Sequence, residues 1–166
     1  MDGKVGKMLI IGCLLGCLDN ALTIAASLSC PKSCFLQVSS SQNRHIIPSS
    51  IEARDNLIET GFGGREWQGG TVKGDLIAVI AVHRAWAKKK GRQQRDKFCR
   101  DHALNSTTLC DMETLRRQFF DLLVDAGLVP AKNDSSLDAE DDCNNASNED
   151  ALLTSCCLVG GLYPNI

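Results

Sequence analysis

The sequence predicts an all-α protein, a helical bundle carrying one disordered acidic insert. Apolar residues recur at helical spacing in residues 75–87 and 109–126, and no stretch shows the strict alternation of a half-buried strand. Residues 133–150 hold seven acidic side chains among Ser and Asn, with almost nothing apolar to bury, so they read as the insert. At 166 residues the chain suits one domain with a single core, or one domain plus a tail. Aromatics are only 5% of the chain, so that core should be built from Leu, Ile, Val and Ala.

Residues 5–18 should form a first helix, apolar all round and therefore buried. Asp19 suits the N-cap of a second helix over 20–29, which Pro31 stops. Residues 51–59 are a short helical candidate between two loops, 35–50 and 61–74, the second marked by six glycines. Asp75 should cap the next helix, where Leu76, Val79, Ile80, His83 and Trp86 make one face. Lys88, Lys89, Lys90 and Gly91 end it, the positive charges suiting the negative end of the helix dipole. A helix over 92–101 follows. The longest, over 109–126, has Thr108 and Asp111 as a capping pair and a stripe of Leu109, Met112, Leu115, Phe119, Leu122 and Leu123. Gly127 and Pro130 close it, and residues 151–158 form a last short helix. The helical domain thus comprises 1–132 and 151–166.

The formal net charge is −2, whereas a free-standing nucleic-acid binder is usually basic, so any nucleic-acid contact must be local or shared with another domain. Nine cysteines cannot all pair within one chain, and Cys13, Cys17, Cys99 and Cys110 lie among apolar residues as small hydrophobes do. A reducing, intracellular compartment is the expectation. The opposing reading is a secreted, glycosylated protein. Lys4 and Lys7 before an apolar run, and small residues at Ala25-Ala26-Ser27, outline a signal peptide. Sequons at Asn105, Asn133 and Asn145 add to it. The run from Met8 to Leu18 is too short for a membrane span of about 20 residues, and a buried helix accounts for it.

Motifs for chemistry are sparse. The chain has no Gly-x-x-x-x-Gly-Lys-Ser/Thr loop to wrap phosphates and no Asp-Glu-Ala-His run, so it should not hydrolyse ATP alone, and no cofactor or metal is expected in it. Cys13/Cys17 and Cys30/Cys34 have spacing that permits zinc, but an apolar setting disfavours the thiolate. Cys99 and His102 could face each other, yet nothing marks a third group to orient a nucleophile. His83 reads as a packed core histidine. The basic cluster Arg84, Lys88, Lys89, Lys90, Arg92, Arg95, Lys97 and Arg100, opposed by Asp96, is either a phosphate-binding surface or a solvated helix end. Arg116 and Arg117 lie off their helix's apolar stripe, where they line a nucleic-acid path or pair with nearby carboxylates.

Four blocks, in order, resemble the ratchet (helicase-associated) domain of DEAH-box ATP-dependent RNA helicases. They are Gly6-Lys7-Met8 through Cys17-Leu18-Asp19 to Leu28-Ser29; Gly74-Asp75-Leu76-Ile77-Ala78 through Arg84-Ala85-Trp86; Phe98-Cys99-Arg100-Asp101-His102-Ala103-Leu104-Asn105-Ser106 with Leu115-Arg116-Arg117-Gln118; and Gly161-Leu162-Tyr163-Pro164-Asn165-Ile166. Departures are Lys32-Ser33-Cys34-Phe35 for a usual Lys-Ser-Pro-Phe, Leu76 and His83 for a usual His and aromatic, and Ala85 for Gly.

The resemblance implies an accessory domain forming one wall of an RNA channel. RNA would be its ligand, and the parent enzyme's two RecA-like lobes, winged helix and oligonucleotide-binding fold its partners. ATP and Mg²⁺ would belong to those lobes, and no membrane is involved. The chain would then be one module of a larger enzyme, from a fragmentary gene or a degenerate derivative. The RNA-contact residues expected are Lys88, Lys89, Lys90, Arg116 and Arg117. The alternative is a non-enzymatic helical interaction scaffold derived from such a helicase.

Overall fold

In the computed structural model, which describes residues 2–36, 48–61, 75–130 and 148–163, Asp2 opens the first helix by accepting a hydrogen bond from the Lys4 amide. This helix, α1 (Gly3–Leu15), ends at Gly16, whose φ of +72° is the left-handed turn that glycine adopts without strain. The chain reverses there into α2 (Leu18–Ser29). The helices α3 (Pro48–Gly61), α4 (Asp75–Ala87), α5 (Arg92–Asp101), α6 (Ser106–Asp125) and α7 (Asn148–Leu162) follow. Among the described residues the only extended pairing is an isolated antiparallel bridge between Phe35 and Leu104, so the all-α class stands.

The packing resolves into two adjoining cores. In one, α1, the first half of α2, the end of α6 and α7 bury Met8, Leu9, Ala21, Ile24, Phe119, Leu123 and Cys157, with Ile80 of α4. In the other, Val79, Val82 and Trp86 of α4 pack against Phe98 and Cys99 of α5, Leu109 and Met112 of α6, and Cys34 and Leu104. Helices α2 (through Ala26 in the second core), α4 and α6 contribute to both and join them. Each fully buried Leu, Ile or Met stabilises the fold by about 1.5–3 kcal/mol.

Several elements differ from the sequence expectation, each for a local reason. Helix α1 buries Val5, Met8, Leu9 and Gly12, while Ile10 and Leu14 on its other side are 42% and 81% exposed; it is covered along one face rather than all round. Asp19 does not cap α2. Cys17 holds that position, because the Gly16 turn brings the chain into helix two residues earlier, and Asp19 sits in the first turn. Helix α3 begins at Pro48, inside the expected 35–50 loop, since proline's fixed φ suits the first helical turn.

Helix α4 is buried on nearly all sides, through Ile77, Val79, Ile80, Ala81, Val82, His83 and Trp86, rather than along one stripe. In α6 the cap is Asn105, whose side chain accepts from the Thr108 amide at 3.2 Å; Thr108 itself is buried. Leu122, expected on its apolar stripe, is 50% exposed. Cys110 is exposed rather than a core residue.

Helix α7 runs from Asn148, within the expected insert, through Gly160 and Gly161 to Leu162. The two glycines lie against α1, where a Cβ on Gly161 would meet the Met8 backbone at 2.6 Å. The expected loop 61–74, the insert at 133–147 and the sequons at Asn133 and Asn145 lie outside the described residues, Gly61 apart. The run proposed as a signal peptide is the first helix of the core, with Met8 and Leu9 fully buried. No helix among the described residues is long and apolar enough to cross a membrane.

Candidate nucleic-acid interface

The basic cluster lies where α4 gives way to α5. Helix α4 closes through amide bonds from Lys88 to the Arg84 carbonyl (3.3 Å) and from Lys89 to that of Trp86 (3.1 Å). Gly91, with φ at +85°, then turns the chain into α5. This leaves Lys88, Lys89 and Lys90 exposed on one short turn. Arg95 reaches back to it: its Nε donates to the Lys89 carbonyl at 3.0 Å, and its guanidinium lies 4.4 Å from the centre of the buried Trp86 ring. The Lys89 ammonium sits 5.5 Å from the Phe98 ring centre. Such cation–π contacts hold the charges in place while leaving their outer side to water. Arg92 is 95% exposed and only 3.9 Å from Asp96, whose other oxygen accepts from Ser106 at 2.7 Å. Lys97 and Arg100 are exposed on the same helix. The result is a cationic ridge on a firm base, suited to phosphates rather than to base edges.

Arg116 and Arg117 have separate fates. Arg117 is 71% exposed, its Nε 3.5 Å from a Glu113 oxygen. Arg116 turns inward, its side chain 16% exposed, so it follows the carboxylate-pairing alternative. Its Nη2 donates to the Asp19 carboxylate of α2, and its Nη1 lies 3.2 Å from Nδ1 of His83 on α4 and 3.5 Å from Glu113. His83 is 1% exposed, and its Nε2 is 3.1 Å from the same Glu113 oxygen. With its proton on Nε2 the imidazole donates to Glu113 and accepts from Arg116, so one tautomer satisfies both neighbours. The hydrogen bond from His83, then the Arg116 cation, pull the Glu113 carboxyl down to about 2 against the opposing effect of burial. His83 is thus the packed histidine expected, 5.8 Å from the Trp86 ring, and also the hub of a polar cluster.

This cluster adjoins a second polar chain. Arg84 donates to Oδ1 of buried Asn20 at 2.8 Å, and the Asn20 amide donates to the Thr154 hydroxyl at 2.9 Å. Helices α2, α4, α6 and α7 are therefore joined through polar groups as well as apolar ones. Sequence reasoning missed Asp19, Asn20 and Glu113 as members. The one available signal was two adjacent polar residues, Asp19-Asn20, inside an otherwise apolar run.

The other candidate chemistry finds little support in the geometry. Burial pushes the thiols of Cys99 up to about 11 and of Cys34 and Cys157 to about 12, away from the reactive thiolate. His102 stacks on Phe98 at 4.2 Å and holds that residue's carbonyl through Nδ1 at 2.9 Å. Asn105, the one sequon asparagine among the described residues, is used as the α6 cap.

Residues 2–111 match the family model of the helicase associated domain (HA2), ratchet-like. The chain belongs to the HA2 family. Over its whole length it is 31% identical to DHX57 of Mus musculus, an ATP-dependent RNA helicase by name, of which it covers 12%. It is 30% identical to the DExH-box ATP-dependent RNA helicase DExH1 of Arabidopsis thaliana and 27% identical to the ATP-dependent DNA/RNA helicase DHX36 of Bos taurus, covering 14% of each. The chain thus spans about an eighth of the length of these curated relatives. Within the HA2 match lie α1 to α5 and the start of α6, including the cationic ridge; Arg116 and Arg117 follow it.

Proposed function

We propose that this HA2 chain is an accessory RNA-channel domain of a DEAH-box ATP-dependent RNA helicase, lending backbone contacts to RNA that the full enzyme unwinds. The observation that carries this reading is the ridge at Lys88–Arg100, where half-buried Arg95 lies over Trp86 and exposed Lys89 over Phe98, in a chain whose relatives are named as RNA helicases. RNA would lie across the ridge and past Arg117, with phosphates neutralised by Lys88, Lys89, Lys90 and Arg117. In the parent enzyme ATP and Mg²⁺ would be held by RecA-like lobes, which with a winged helix and an oligonucleotide-binding fold would complete the channel.

The test is the affinity of the chain for a labelled single-stranded RNA across a salt series. Lys88→Glu/Lys89→Glu/Lys90→Glu and Arg117→Glu should each bind more weakly, with a shallower salt slope. A triple variant indistinguishable from wild type overturns the ridge assignment, and an equivalent Arg117→Glu protein removes Arg117 from it.

A second reading, a helical interaction scaffold, draws on an apolar stripe along α7, where Leu152, Val159 and Tyr163 are 51%, 57% and 69% exposed. A chain that binds no RNA at any salt concentration would favour that reading.

A further inference from the structure

We infer that the outer face of α7, with the adjoining edge of α1, is an interface on which two copies of this chain pair as a two-fold dimer. The cationic ridge is built from other helices, so this pairing and RNA binding can hold or fail separately.

Helix α7 packs antiparallel to α1. Gly161 lies against Met8, Gly160 against Ile11 and Cys157 against Gly12. Cys157 also donates to the Met8 carbonyl at 3.2 Å. With Thr154, Cys157 and Gly161 turned inward, the opposite side carries Leu152, Cys156, Val159 and Tyr163, all exposed. The sequence holds no charged residue from Ala151 to Tyr163. A helix face turned to water is ordinarily polar, as on α6, which exposes Asp111, Thr114, Arg117, Gln118 and Asp121. Leu14 of α1, three residues beyond the Ile11 that meets Gly160, extends the patch across the seam between the two helices.

The area suits a dimer. A standard interface takes about 800 Å² from each partner, about 65% of it apolar in homodimers, or roughly 500 Å² of apolar surface. Leu14, Leu152, Val159 and Tyr163, at 81%, 51%, 57% and 69% exposure, offer roughly that area on one face, with Cys156 among them.

The spacing points to a second copy. From Leu152 the stripe steps by four, three and four residues, so it reads the same from either end. Two such helices laid antiparallel put Leu152 of one copy opposite Tyr163 of the other, and Cys156 opposite Val159. Each contact then occurs twice, as a two-fold interface requires. The larger side chains meet at the ends and the smaller ones beside the dyad, where the helices come closest. Nothing on the α7 stripe carries a charge, so its two copies do not repel.

The test is sedimentation equilibrium of the full chain, under reducing conditions, over a range of protein concentrations. Wild type should associate reversibly to a dimer. Val159→Lys sets two ammonium groups beside the dyad and should raise the dissociation constant roughly tenfold or more. Tyr163→Glu serves the same comparison if the lysine variant does not fold. Leu28→Lys, at an exposed leucine of α2 outside the patch, is the control and should dimerise as wild type does. A short bismaleimide tests the pairing itself. The two Cys156 positions lie about 4.5 Å apart along axes about 8–10 Å from each other, within its reach. The crosslinked dimer should form in wild type and in Cys110→Ser, the other exposed cysteine described, and be lost in Cys156→Ser.

A chain that stays monomeric at every concentration overturns the inference and leaves this face to another part of a longer polypeptide. A dimer that Val159→Lys and Tyr163→Glu leave unchanged, or that links through Cys110 rather than Cys156, overturns it as well.

Discussion

Gly161 of α7 rests directly on Met8 of α1: a Cβ placed on the glycine would lie 2.4 Å from the Met8 Cβ. Glycine in a helix interior is ordinarily unfavourable by about 1 kcal/mol relative to alanine. Here it lets the two helices approach until α7 covers Met8 and Leu9. Gly12 does the same between α1 and α2, where a Cβ would meet that of Ala21 at 2.6 Å.

Gly161→Ala should therefore destabilise the domain by roughly 1–3 kcal/mol, the overpacking penalty, despite the gain in helix propensity. Gly160→Ala, which meets only the flexible end of Ile11 at 3.2 Å, should be close to neutral. Urea unfolding of the two variants measures the difference. Equal midpoints would show that α1 and α7 can separate without loss.

The α6 cap gives a second prediction. Asn105→Ala removes the acceptor for the Thr108 amide and should lower stability by about 1 kcal/mol. Asn105→Asp should retain most of it, since either side chain offers an oxygen at the same reach. Thermal unfolding of the pair reads this directly.

Buried Asn20 gives a third. Its side chain bridges Arg84 and Thr154 across α4, α2 and α7. Asn20→Leu takes one partner from each of two polar groups and should cost about 1–3 kcal/mol in chemical denaturation, where a solvent-exposed Asn would cost almost nothing.

Glu113 makes stability depend on acid. Its carboxyl is held near 2 in the folded protein, below its ordinary value of 4.5. The folded state therefore binds the proton less readily than the unfolded chain. The resulting stabilisation is fully present above pH 4.5 and is lost as pH falls toward 2. Glu113→Gln should be less stable than wild type at neutral pH, and the gap should narrow on acidification through that window. Melting temperatures of both proteins between pH 2 and pH 7 test it, and a gap that does not change with pH would remove Glu113 as the source.

What the sequence made legible was local. The start of α5 follows from Gly91, and the end of α2 at Ser29 from Pro31, because those signals act within a turn or two. The α6 stripe read correctly at Leu109, Met112, Phe119 and Leu123 for the same reason. Three features escaped because they depend on distant chain. Asp19 has the chemistry of a cap, but its partner Arg116 lies 97 residues away. The glycines of α7 look like a helix stop until Met8 is placed against them. Thr108 and Asn105 are both good caps, and the burial of Thr108 decides between them. Of the candidate interface, the exposed ridge was legible as a run of charges, whereas nothing in the sequence near Arg116 shows that it turns inward.

The most direct test of the account is photo-crosslinking of the chain to a single-stranded RNA, with the linked peptides mapped by mass spectrometry. The account predicts crosslinks concentrated in residues 84–100 and around Arg117, lost in the Lys88→Glu/Lys89→Glu/Lys90→Glu protein. Crosslinks confined to other surfaces, such as the exposed faces of α1 and α7, would contradict it.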